Sequence, residues 1–259
     1  MRLWFMAKSL YSLIFLLLLS SGCKHRTNDN AQGSDIFTTE ASEECYPGSP
    51  ASEEKCGLWF PYDYEAPQEM YDLFNKQQWI KRILEPSSAI ANGKALGLTE
   101  EESLSVRAYT QYEYIPINNQ LRTKNISPLH RPVINLAASG LRKLPKFVGT
   151  VYRGTELKPE ILAKYKTAFE KKVPLQELGF LSTTSSESYL NDSSFGMHNA
   201  RFIIESTSGT PVDRLSHLPV EKEVLFTPGN WFQIVDIKND AQSAGNSRTI
   251  IMMKELPLQ

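Results

Sequence analysis

Apolar and polar positions along this chain follow two periods, a helical one in its first half and a strand-like one in its second. Met70, Leu73, Phe74, Ile80, Ile83 and Leu84 recur at the spacing of one helix face, up to Pro86. Thr99 with Glu102 three residues on forms a capping-box signature and predicts a helix running through Tyr109. Ser127–Pro128 predicts a further start, with proline at the first helical position. Ile134, Ala137, Ala138 and Leu141 then give that helix a buried face. From Phe147 the period shortens to two. Stretches 147–155, 179–185, 201–206, 223–227, 231–238 and 249–255 read as strands with Gly, Pro, Asn and Asp between them, and a helix opens at Pro159. Helices first and strands later imply an α+β fold rather than an alternating parallel sheet. No glycine-rich GxGxxG run follows a strand, so a Rossmann site is not supported.

The N-terminus has a different pattern. Arg2 and Lys8 precede an apolar run from Leu10 to Leu19, followed by Ser20, Ser21 and Gly22. This reads as a secretory signal over residues 1–22, and the run is shorter than the roughly 20 residues that span a bilayer. LSSGC resembles the bacterial lipoprotein signal, in which the cysteine, here Cys23, is lipidated. Ser20 stands where that signal usually has leucine, and Ser20 with Gly22 also suits ordinary cleavage that leaves Cys23 unmodified. Residues 23–66 read as a polar tether and an aromatic-rich entry segment, and 67–259 as the folded domain. In an exported chain, Cys45 and Cys56 read as a disulfide worth roughly 3 kcal/mol by loop closure; two free thiols are the alternative. The expected location is therefore the bacterial membrane, through a lipid anchor, or a secreted form.

A net charge of −1 leaves no electrostatic footprint for nucleic acid. The four histidines are scattered and show no metal-ligand spacing.

Three strand segments place polar residues where the pattern calls for apolar ones. Arg153 shares a face with Phe147 and Val151, and a guanidinium on a core face needs an anionic partner, either phosphate or carboxylate. Ser182 and Thr184 share a face with Phe180. Glu221 and Glu223 share a face with Leu225, so two carboxylates meet at a strand start. Each feature alone has a plain structural explanation: an edge arginine pairing with an acid, a solvated hydroxyl face, or a charged edge that resists aggregation.

Together, and in this order, Tyr152-Arg153-Gly154, Ser182-Thr183-Thr184 and Glu221-Lys222-Glu223 resemble the Arg–Ser–Glu class of mono-ADP-ribosyltransferases, which includes bacterial exotoxins and vertebrate ecto-enzymes. The flanks GFLSTTS and EKEVLFTPG fit, and YTQYEYIPINNQLR resembles the helical segment over that family's NAD cleft. Thr184 replaces the usual serine. The resemblance covers roughly residues 71 to 256. It implies N-terminal helices packed on two mainly antiparallel sheets that form an NAD cleft.

It also implies roles. Arg153 would grip the pyrophosphate of NAD, and the Gly154 backbone would meet the nicotinamide amide. Thr183 and Thr184 would line the same site. Ser182 would brace Glu223, which would accept from a ribose hydroxyl and face the oxocarbenium-like cation. Glutamate at 221 goes with arginine acceptors in the family. NAD is then a substrate, no metal is needed, and the partner is an acceptor protein offering an arginine. The stretch 185–198 reads as a loop from which Tyr189 or Phe195 could stack on nicotinamide. The stretch 206–219 reads as the acceptor loop, with Leu215, His217 and Leu218 as contacts. Three rivals remain: an NAD glycohydrolase on the same fold, a non-catalytic surface lipoprotein that binds a partner, and a serine hydrolase. The last has no GxSxG context around Ser182.

Overall fold

A computed structural model describes residues 37–38, 87–192, 198–241 and 247–256, all within one unit, Gly33–Gln259. The signal segment, Cys23, Cys45, Cys56, the pattern from Met70 to Leu84, and Phe195 lie outside the described residues.

The helical layer begins with α1 (Ser87–Ala95), which the sequence pattern did not signal. In α2 (Glu100–Ala108) the capping box is complete. The Glu102 N–H donates to Thr99 Oγ1 at 3.2 Å, and the Thr99 N–H donates to Glu102 Oε2 at 3.0 Å, satisfying two of the donors a helix start leaves open. The helix does not stop at Tyr109. It widens into a π-helix, Tyr109–Glu113, and continues as α3 (Tyr114–Arg122). Pro116 sits just beyond the wide turn; it has no N–H to donate, and its ring would crowd the preceding turn of a regular helix.

α4 (Arg131–Lys143) opens three residues later than expected from Ser127–Pro128. Pro132 accounts for the delay: it cannot donate back to Pro128, so the regular ladder starts around it instead. Ser127 still acts as a local cap, its hydroxyl accepting from the His130 N–H at 3.3 Å. Ile134, Ala137, Ala138 and Leu141 are fully buried, as their spacing implied.

The sheet contains β1 (Phe37–Thr38), β2 (Gly149–Thr155), β3 (Leu175–Glu177), β4 (Leu181–Thr184), β5 (Ala200–Ser206), β6 (Thr210–Pro211), β7 (Glu223–Phe226), β8 (Trp231–Ala241) and β9 (Ser247–Leu256). Between them lie α5 (Pro159–Lys171) and α6 (Glu187–Asp192). The short strands β1, β3 and β6 were not anticipated, and β1 falls within the stretch read as tether.

Strand order is β1–β3–β8–β9–β5–β2–β4–β7–β6. Every described pair is antiparallel except β5 with β9. The two sheets implied by the resemblance are joined at one point. β2 pairs with β5 along its whole length, from Gly149 to Thr155, but with β4 only through Tyr152 and Thr184. Past that rung the strands separate.

Two cores fill the unit. One packs α5 against the sheet, with Tyr165, Phe202, Phe226 and Phe232 at its centre. The other packs α2 to α4 against Phe180, Val212, Leu215 and Leu225. β4 and β7 lie between them: Leu181, Val224 and Phe226 face the first core, Phe180 and Leu225 the second. Alternation on these two strands thus puts Ser182 and Glu223 on the helical side.

Candidate active site

The register of β4 with β7 pairs Ser182 with Leu225 and Thr184 with Glu223. On the face shared by these residues, Ser182 Oγ donates to Glu223 Oε1 at 2.6 Å. Glu223 is buried, and its carboxyl is pushed up to about 7. Loss of solvation is the main cause; the Ser182 hydroxyl opposes it, the Glu221 charge reinforces it, and Arg153 opposes it again.

Arg153 comes from the far side of the opening between β2 and β4. Its Nη1 donates to the Ser182 carbonyl at 2.6 Å, and its Nε is buried without a partner. Among the described residues no carboxylate forms an ion pair with it. Burial first, and then the nearby Arg122, pull its pKa below the ordinary value. A half-buried guanidinium with no counter-charge among the described residues suits an external anion, because a poorly solvated charge is costly when unpaired.

Glu221 is not on the strand, as its alternation with Glu223 had suggested. It ends a short 3-10 turn, Pro219–Glu221, and Lys222 adopts a left-handed backbone (φ 49°) before β7 begins. Two contacts hold it toward the cleft. Thr184 Oγ1 donates to the Glu221 carbonyl at 2.7 Å, and the Tyr189 hydroxyl donates to Glu221 Oε1 at 2.9 Å. Thr184 keeps its hydroxyl although it replaces a serine, and that hydroxyl anchors the second glutamate.

Thr183 is not brought to this group. Its hydroxyl donates to the Val224 carbonyl at 2.6 Å on the opposite face of the strand pair. Gly154 lies on β2 beside Arg153, in register with Arg201 of β5. Tyr189 is not in a loop but on α6, engaged with Glu221. Leu215 is fully buried in the helical core, so it is unavailable as an acceptor contact. His217 is exposed and Leu218 half-buried; they follow a segment pinned by Arg107, which donates to the Leu215 and Ser216 carbonyls at 3.2 and 2.5 Å.

The helical segment supplies residues that strand periodicity could not reveal. The Tyr109 hydroxyl donates to the Phe180 carbonyl at 3.3 Å and accepts from Asn118 Nδ2 at 3.0 Å. Asn118 Oδ1 accepts from the Phe180 N–H at 2.9 Å. Arg122 pairs with Glu177 at 3.2 Å, and Glu177 Oε1 accepts from the Gly179 N–H at 2.6 Å. Together they fix the residues entering β4, and therefore Ser182. The available signal was the placement of Tyr109, Asn118 and Arg122 on one helical segment, and of Glu177 between Gln176 and Leu178 in a buried stretch.

No group of three or more His, Cys, Asp or Glu side chains able to hold a metal occurs among the described residues. The chemistry available to the cleft is an anion clamp at Arg153, a hydroxyl-braced carboxyl at Glu223 and a second carboxylate at its rim.

Comparison with known proteins bears on the family and the fold. The protein Mav of Mycobacterium avium (strain 104) is 32% identical over 158 residues, covering 61% of this chain and 18% of that protein. The NAD(+)–protein-arginine ADP-ribosyltransferase Tre1 of Pseudomonas putida (strain GB-1) is 29% identical over 163 residues, covering 62% of this chain and 30% of that protein. This chain thus spans less than a third of either relative. Among solved structures, the ADP-ribosyltransferase HopU1 of Pseudomonas syringae pv. Tomato DC3000 superposes with a TM-score of 0.61 at 20% identity, covering 75% of this chain and 99% of that one, a likeness that bears on the fold. The ADP-ribosyltransferase exoenzyme family matches residues 71–256, more than half the sequence, and the chain belongs to that family.

Proposed function

We propose that the chain transfers ADP-ribose from NAD to an arginine side chain of an acceptor protein and releases nicotinamide. The observation that carries this reading is the convergence of Arg153, half-buried and without a carboxylate partner among the described residues, with the Ser182–Glu223 pair and Glu221 around one opening. Arg153 suits the pyrophosphate, where a forked guanidinium matches phosphate oxygens. The glycosidic C1′–N bond breaks with its electron pair leaving on nicotinamide, and positive charge develops on the ribose. Glu223, ionised and braced by Ser182, faces that charge and accepts from a ribose hydroxyl. A guanidine nitrogen of the acceptor then bonds C1′ and gives up a proton to Glu221.

Two features favour arginine as acceptor: a carboxylate at 221 to orient a guanidinium, and the name of the Tre1 relative, a protein-arginine transferase. Export through segment 1–22 is part of the same reading, with Cys23 lipidated or the chain released, and Cys45 bonded to Cys56 in the oxidising compartment.

The test is nicotinamide release and agmatine labelling in wild type, Glu223→Ala and Glu221→Ala. Glu223→Ala is expected to lose both activities, by roughly 100-fold or more, the effect of removing a charge-stabilising group. Glu221→Ala is expected to lose labelling while retaining some hydrolysis. Full activity in Glu223→Ala removes the mechanism; undiminished labelling in Glu221→Ala removes the acceptor assignment. A wild type that releases only free ADP-ribose in the presence of agmatine is a glycohydrolase.

A further inference from the structure

The segment leaving β4 closes on Glu221 and its neighbour at three points. Thr184 Oγ1 donates to the Glu221 carbonyl at 2.7 Å, the Ser185 N–H donates to the Lys222 carbonyl at 3.1 Å, and the Tyr189 hydroxyl donates to Glu221 Oε1 at 2.9 Å. The first two hold main chain. Of the three, only the third touches the carboxylate. Glu221 sits in a short turn followed by a left-handed residue, so nothing in a regular ladder dictates where its side chain points.

Tyr189 is itself held firmly. It lies on α6, with Leu190 next to it buried at 3% exposure. Arg201 of β5, also buried, donates through Nη1 to Glu187 Oε1 at 3.5 Å and through Nη2 to Asn191 Oδ1. Glu187 and Asn191 are four residues apart and share one helix face, so one arginine grips α6 on both sides of Tyr189. The neighbouring Tyr189 N–H is also engaged, donating to Ser186 Oγ at 3.2 Å. A continuous set of contacts therefore runs from the middle of the sheet, through Arg201 and α6, to the Glu221 carboxylate. Burial, and after it the Glu221 charge, raise the Tyr189 phenol above its ordinary range, so it remains a donor at neutral pH.

We propose that Tyr189 is the positioning residue for Glu221, setting its carboxylate toward an incoming guanidinium and so governing how ADP-ribose is divided between acceptor and water. This rests on the transfer reading given above. By holding Oε1, the phenol limits the rotamers of Glu221 before the acceptor arrives, and it leaves Oε2 to meet a guanidinium N–H. Without the phenol, the carboxylate samples several orientations and the acceptor nitrogen reaches C1′ less often. Water, which needs no such orientation, continues to react.

The test uses the full chain and its Tyr189→Phe variant, with nicotinamide release and agmatine labelling measured in the same reaction over a range of agmatine. Tyr189→Phe is expected to raise the agmatine KM and lower the labelled fraction by roughly tenfold more than it lowers NAD cleavage, the effect of one lost hydrogen bond to a charged group. In a Glu221→Ala background the same substitution should change the partition no further. Asn191→Ala, which loosens α6 without touching Glu221, should move the partition in the same direction by less. Because the readout is a ratio within one sample, a poorly folded fraction does not alter it. A Tyr189→Phe enzyme with unchanged partition, or one losing cleavage and labelling equally, overturns the positioning role while wild-type transfer stands. A wild type that cleaves no NAD overturns the transferase reading as well.

Discussion

Glu223 holds a proton through pH values at which an exposed glutamate has lost it. Its pKa is pushed up from 4.5 to about 7, and the cause is burial. Two consequences follow with opposite signs. In the transfer mechanism we propose, Glu223 acts in its charged form, so kcat/KM for NAD is expected to fall as pH drops through about 7 in the free enzyme. Stability behaves the other way. Between 4.5 and about 7 the folded chain binds more protons at this site than the unfolded chain, so stability declines as pH rises through that window. Glu223→Gln, which can still accept from Ser182, is therefore expected to melt higher than wild type at pH 8, by on the order of 3 kcal/mol, with the advantage gone near pH 4. Thermal unfolding at the two pH values checks it; an equal difference at both would place the cause elsewhere than in this carboxyl. At this scale much was legible. Arg153, Ser182 and Glu223 break a period of two on otherwise apolar faces, a pattern visible in sequence. The position of Glu221 was not, because the left-handed step at Lys222 interrupts the alternation that seemed to pair it with Glu223.

The decisive element is the approach to β4. Gly179 precedes it in a slot with no room for a side chain. A Cβ there would come within 2.8 Å of Asn118 Oδ1 and 3.2 Å of Arg122 Nη2. Neither group can move freely, since Asn118 bonds Phe180 and Tyr109 while Arg122 pairs with Glu177. Gly179→Ala is expected to cost about 1–3 kcal/mol, the range for overpacking, and to raise the KM for NAD because Ser182 shifts with β4. Denaturant midpoints and steady-state kinetics report the two effects separately; neither changing would mean that the slot relaxes cheaply. Sequence reading captured the elements with local signals, such as the Thr99 capping box and the strand expected at 201–206, observed at 200–206. It missed α1, β1, β3 and β6, and read α6 as loop; these elements are short or lack a clear period. It also set the start of α4 too early, since Ser127–Pro128 carries a valid start signal that Pro132 overrides.

For the whole molecule, the cleft lies where two sheets share a single rung, with Arg153 on one and Glu223 on the other. A ligand touching both acts as a brace. NAD at 100 times its Kd is expected to stabilise the fold by about 2.7 kcal/mol, and the shift should vanish in Arg153→Ala. Melting curves with and without NAD measure this, and a shift surviving in that variant would place the dinucleotide elsewhere. The end of the β2–β4 pairing at Tyr152 and Thr184 also has a mechanical meaning. Beyond that rung, Arg153 on β2 reaches across to the Ser182 carbonyl of β4 at 2.6 Å. A side chain thus stands in for a missing rung of the ladder, and the guanidinium is a strut between the two strands before any ligand arrives.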